Sequence, residues 1–190
     1  MVMGGYYSHK ELKNFGFKSL GQRVYISKKA SIYTPSQISI GSDVRIDDFC
    51  LLVGDISLGN FIHLAPYVSI HGTGGGSVVM KDFSALSSYT TVYASSDDYS
   101  GNSITNPTVG EQYEKIIASN IIIEKHAIVG LHSVILPGAY LAEGVALGAM
   151  SLLTKATEPW GIYVGIPCRR VKERLRDCLK MEQEIYMQSL

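Results

Sequence analysis

Two adjacent carboxylates, Asp97 and Asp98, stand near the start of a polar stretch that runs from Tyr93 to Ile122 and is rich in Ser, Asp, Asn and Thr. Such a pair is either turn chemistry or a proton acceptor. An ordinary aspartate titrates near ~4 and is a poor base for a hydroxyl unless burial or a second acid raises it. Neighbouring aspartates are expected to raise one another in this way. An amine acceptor relaxes the demand, since it needs only to lose one proton. His126 follows soon after the stretch ends, and histidine is a residue type commonly used as a general base. His63 and His71 are weaker candidates: His63 precedes an apolar position and should face outward, and His71 opens the glycine-rich segment His71-Gly-Thr-Gly-Gly-Gly-Ser. A second set is cationic. Lys155, Arg169, Arg170 and Lys172 lie close together in the C-terminal part, where each is either a solvated surface charge or a contact for an anionic group. Cys50, Cys168 and Cys178 show no metal-ligand spacing, and His126 and His132, six residues apart, should not converge; no metal is expected.

These residues must be held by something regular, and the sequence is periodic. Apolar residues recur every sixth position at Ile40, Ile46, Leu52, Leu58, Leu64 and Ile70, and again at Ile123, Val129, Ile135, Leu141, Leu147 and Leu153. Shorter runs are Ile26, Ile32, Ile38 and Met80, Leu86, Val92. A period of six fits neither a helix nor a long alternating strand. Two residues before each apolar position stands a second restricted residue, among them Val44, Cys50, Ile56, Ala127, Ser133 and Ala139. Two inward positions per six residues describe a short strand and a turn. Three such units close one triangular coil of 18 residues, so the fold class is an all-β solenoid, a parallel β-helix. Turn positions carry suitable residues, as in Gly41-Ser42-Asp43, Gly59-Asn60 and Pro137-Gly138. The glycine-rich segment and the stretch at 93–122 interrupt the register, and long loops on a rigid solenoid commonly carry function.

The ends depart from the period. Ser8-His9-Lys10-Glu11 is a capping box that opens a short helix before Gly16. After Pro167 the chain reads as a helix, with Val171, Leu175, Cys178 and Leu179 as its apolar stripe. The expected organisation is an N-terminal helical cap over 1–21, a β-helix over 22–166 containing the loop 93–122, and a C-terminal helix over 167–190.

Seventeen basic and seventeen acidic side chains cancel. That balance argues against a nucleic-acid partner. No apolar run reaches the ~20 residues of a membrane span, and the first residues lack the apolar core of a signal peptide. Three unpaired thiols fit a cytoplasmic setting.

The repeat resembles the bacterial hexapeptide-repeat acyltransferases. Gly148-Ala149-Met150-Ser151-Leu152-Leu153-Thr154-Lys155 and Gly165-Ile166-Pro167-Cys168-Arg169-Arg170-Val171 are similar to segments of the maltose, galactoside and xenobiotic acetyltransferases. The resemblance implies left-handed coils, a homotrimer with active sites between subunits, and acetyl-CoA as acyl donor. It implies a sugar or nucleotide-linked sugar as the small-molecule acceptor, with a role in surface-polysaccharide synthesis. It places CoA contacts at Ala149, Thr154, Lys155, Arg169 and Lys172. The family's catalytic histidine falls at Asp97, which leaves Asp97 and His126 as candidate bases. Two other classes share such solenoids: zinc enzymes of the carbonic-anhydrase type and non-catalytic binding scaffolds.

Overall fold

The computed structural model describes residues 5–188, so the first four residues of the expected cap and the last two of the expected helix lie outside it. The chain winds as a triangular prism. Short strands stack into three walls, of six, eight and six strands, all parallel except the last strand of the second wall. The first wall includes Ile38–Ile40, Ile56–Leu58 and Val78–Met80. The second includes Arg45–Ile46, His63–Leu64 and Ala85–Leu86. The third includes Leu51–Gly54, Ser69–Gly72 and Thr91–Tyr93.

Both apolar runs face the axis. Every member of the two six-residue runs is buried, as are the smaller partners Val44, Cys50, Ala127, Ser133 and Ala139. Ile32, in the first coil, is only partly buried, because fewer coils cover it. Burial pushes the Cys50 thiol up to about 11, which keeps it protonated and structural.

The three corners of the prism differ. Between the first and second walls the turns carry Asp43, Phe61, Phe83, His126 and Trp160, each in the left-handed backbone region. Between the second and third walls they carry Phe49, Tyr67, Tyr89, His132 and Met150, also left-handed. We call these the sealed and the open corner. The remaining corner, between the third and first walls, holds the glycine-rich segment and the long loop, and is the loop corner. Coils meet very closely there. A Cβ on Gly54, at φ +90°, would lie 1.9 Å from the Gly72 carbonyl oxygen, so only glycine fits.

A short helix forms at the capping box. Helix α1, His9–Lys13, begins at Ser8, whose side chain caps the Glu11 N–H while the Glu11 carboxylate accepts from the Ser8 N–H. Strand pairing begins at Ser19–Leu20, three residues earlier than the boundary expected at 22. The C-terminal reading needs a larger correction. Cys168–Glu173 is a strand, folded back antiparallel on Gly161–Gly165, and helix α2 spans only Cys178–Gln188. The cause is the end of the second wall. Gly161–Gly165 would present an unpaired edge there, and the returning strand satisfies it. Pairing therefore outweighs the helical pattern, and Val171 and Leu175 are exposed.

Candidate active site at the loop corner

The long loop is anchored by its own hairpin. Ser95–Asp97 pairs antiparallel with Ile116–Ala118, with Asp97 directly opposite Ile116. Beyond the hairpin, Asp98 is tied inward. Its carboxylate accepts from the Ser100 N–H at 2.9 Å and from Lys115 Nζ at 3.0 Å. The Ser100 contacts and the Lys115 cation hold its pKa down at about 2. The expectation that the two aspartates raise one another is therefore corrected at Asp98, which is a loop anchor ionised at neutral pH. Asp97 is different. Its carboxylate has no hydrogen-bond or ion-pair partner among the described residues, and it lines a groove of about 380 Å³ with Tyr93, Ser95, Tyr99, Ile116 and Leu136.

His71 supports this groove from behind. Its ring stacks on Tyr93 with centroids 3.9 Å apart, and its Nε2 lies 2.7 Å from Ser69 Oγ. Burial lowers its pKa, so the ring stays neutral near pH 7. His63 faces outward as expected, bonded to Asp47.

His126 sits elsewhere. It occupies the sealed corner, in the turn between the first and second walls, whereas the loop returns between the third and first. The ring stacks on Phe83, and its Nε2 lies 2.7 Å from the Glu182 carboxylate on α2. Lys125 bonds the other Glu182 oxygen, and Arg174 donates to the His126 carbonyl. The structure does not bring Asp97 and His126 together. Sequence proximity misled here because three residues past a strand is a corner in every coil, and the corners are a wall apart.

Of the cationic set, Thr154, Lys155 and Arg169 line one groove of about 350 Å³ together with Cys168 and Arg170. Ala149 stands at the open corner, at the other end of the strand Leu152–Leu153. Lys172 pairs with Ile162 further along the returning strand. Trp160 packs beneath Arg176 and beside His126, not in this groove.

No family model matches the chain. A dTDP-4-amino-4,6-dideoxy-D-glucose acyltransferase from Escherichia coli, however, is 42% identical over 180 residues, 93% of each chain. The chain belongs to this acyltransferase family. AntD, an N-acyltransferase from Bacillus cereus solved with dTDP and 3-hydroxybutyryl-CoA, is 45% identical to the acyltransferase described here. It matches with a TM-score of 0.94, over 97% of this chain and 98% of that one. Other AntD structures carry dTDP and coenzyme A with an aspartate replaced, or dTDP-4-amino-4,6-dideoxyglucose and coenzyme A with a serine ten positions earlier replaced. A maltose O-acetyltransferase from Clostridium difficile 630, 18% identical with a TM-score of 0.52 over 88% of this chain and 75% of that one, shares the fold alone. The acyltransferase is a left-handed β-helix.

The groove residues beside Asp97, namely Tyr93, Ile116 and Leu136, were not singled out by sequence. Ile116 comes from the far side of a twenty-residue excursion whose pairing no periodicity reports. Leu136 follows the inward Ile135 and reads as an ordinary turn residue.

Proposed function

We propose that the enzyme moves an acyl group, acetyl being the expected one, from acyl-CoA to the amine of a dTDP-linked 4-amino-4,6-dideoxyhexose. The observation that carries this is the unpartnered Asp97 carboxylate in its groove, set in a chain nearly half identical to an N-acyltransferase that binds dTDP and CoA. An ammonium group on the sugar is drawn to Asp97. The carboxylate takes one proton, the freed nitrogen attacks the thioester carbonyl, and the C–S bond breaks; the second nitrogen proton passes to the leaving thiolate, giving coenzyme A and an amide. This resolves the missing histidine: an amine does not need the stronger base that a hydroxyl does.

The relatives' replaced pair, an aspartate and a serine ten positions before it, matches two pairs in this chain, Ser87 with Asp97 and Ser88 with Asp98. Asp98 is bound to Lys115, which favours Ser87 and Asp97. Ser87 lies in the turn at the open corner and Asp97 just past the loop corner, with the strand Thr91–Tyr93 between them. At about 3.3 Å per residue that strand and its flanks separate them well beyond contact. A site using both draws each from a different subunit, and this favours a homotrimer. The exposed aromatic column Phe49, Tyr67 and Tyr89 on the open corner also favours assembly. Phe61 does not belong to that column, since it packs on Phe83 and Tyr186 at the sealed corner. In this reading Thr154, Lys155 and Arg169 hold CoA, with the cations on its phosphates. Ala149 leaves room for the pantetheine arm, and Lys172 extends the basic track. A cytoplasmic place in surface-polysaccharide synthesis follows from such an acceptor.

The test is coenzyme A release with acetyl-CoA and either dTDP-4-amino-4,6-dideoxyglucose or dTDP-glucose. Release with the amine alone supports the reading, and equal release with both, or with neither, removes it. Lys155→Glu should weaken acetyl-CoA binding by about 1–3 kcal/mol in calorimetry, because an attraction to phosphate becomes repulsive.

A further inference from the structure

The groove around Asp97 has a second chemical character that its carboxylate does not explain. Directly opposed residues of an antiparallel pair place their side chains on the same face, with Cβ atoms roughly 4.5–5.5 Å apart. Asp97 and Ile116 are such a pair. An anion and a branched apolar side chain therefore stand side by side, and Leu136 from the next coil lines the same groove. Ile116 is 51% exposed, although its Cγ2 lies against Gly74, so packing of the fold alone does not call for an isoleucine there. Its neighbour Ile117 faces the opposite side of the hairpin and pairs with Ser96.

The acceptor has a matching pair of groups. In a 4-amino-4,6-dideoxyhexose, C4 carries the ammonium and the adjacent C5 carries the C6 methyl. Placing the ammonium at Asp97 puts the methyl beside it, against Ile116 and Leu136. We infer that Ile116 and Leu136 form the patch that selects an acceptor with a methyl at C6 over one with a hydroxymethyl group there. The added hydroxyl would lose its water without finding a partner on that patch. This rests on the proposed acceptor class and adds the residues that determine its specificity.

The experiment compares kcat/KM for two dTDP-linked acceptors that differ only at C6, the 4-amino-4,6-dideoxy sugar and its 6-hydroxy counterpart. The wild-type ratio is expected to be roughly 10–200 in favour of the methyl, the range an apolar pocket achieves. Ile116→Thr keeps a β-branched strand residue and adds a hydroxyl; it should lower the ratio at least about fivefold by the same reasoning. Leu136→Gln should do likewise and decides the matter if the first variant disturbs the hairpin. Ile117→Thr, on the other face of the same strand, should leave the ratio unchanged. A wild-type ratio near one overturns the inference while leaving the proposed function standing. A ratio unchanged in both groove variants does the same. Absence of transfer to either amine overturns the proposed function and this inference with it.

Discussion

The loop corner and the sealed corner are built from the same six-residue unit and end in opposite uses. At the sealed corner, Phe61, Phe83 and His126 stack upon one another, and α2 lies across them through Tyr186 and Glu182. Polar atoms there are paired: Glu182 is bonded to both Lys125 and His126, and Arg174 reaches the His126 carbonyl. At the loop corner the turns are glycine or polar, the excursion is held by one hairpin, and the Asp97 carboxylate is left without a partner. Burial and complete pairing mark structure, whereas a charged group kept unpaired beside open space marks chemistry. By that criterion the pairing of His126 is that of the fold, and Asp97 is the residue we propose for the reaction.

The comparison can be broken first at its geometric root. Gly54→Ala places a Cβ 1.9 Å from a backbone oxygen at a left-handed φ, with no flexible atom to yield. The expected loss is about 3 kcal/mol or more, seen as a lowered melting temperature or failure to fold. A melting temperature like wild type would show that the coils at this corner can separate.

A smaller effect is expected where α2 seals the other corner. Burial pushes the Glu182 carboxyl up, but hydrogen bonds from Lys125 and His126 outweigh it and leave the pKa below its usual value. Glu182→Ala strips both partners and should cost about 1–3 kcal/mol. Turnover measured well below the melting transition should stay near wild type. A large fall in turnover without a fall in stability would move this corner into the active site.

The mildest test is acid. The Asp98 pKa is depressed to about 2, so its contribution is fully present above the ordinary carboxylate range and is lost as pH falls from about 4 through about 2. Amide protection in the loop, corrected for the intrinsic exchange rate at each pH, should fall across that window while the coils stay protected. Asp98→Asn should show fast loop exchange already at neutral pH. Unchanged loop exchange in that variant would remove Asp98 as the anchor.

Much of the fold was legible because a solenoid repeats one local decision. Ile40 to Ile70 and Ile123 to Leu153 are buried because each six-residue unit sees the same neighbours above and below. The capping box at Ser8 was legible for the same reason, being settled within four residues. What escaped depends on distant partners. Cys168–Glu173 carries a helical pattern but meets an open strand edge, and the edge decides. Histidine is a residue type suited to general-base work, yet the position of α2 determines what His126 touches. Asp97 could be placed by its position in the loop, but the groove around it needed the pairing with Ile116 to be seen.

The most direct test sets the two corners against each other in one kinetic comparison. kcat/KM for the dTDP-linked amino sugar is measured in Asp97→Asn and in His126→Asn, asparagine being tolerated at the left-handed φ of 126. Asp97→Asn should fall ~10²–10⁴-fold with acetyl-CoA binding intact, and His126→Asn should stay within about threefold of wild type. The opposite pattern, with Asp97→Asn near normal and His126→Asn severely slowed, would contradict the assignment of chemistry to the loop corner.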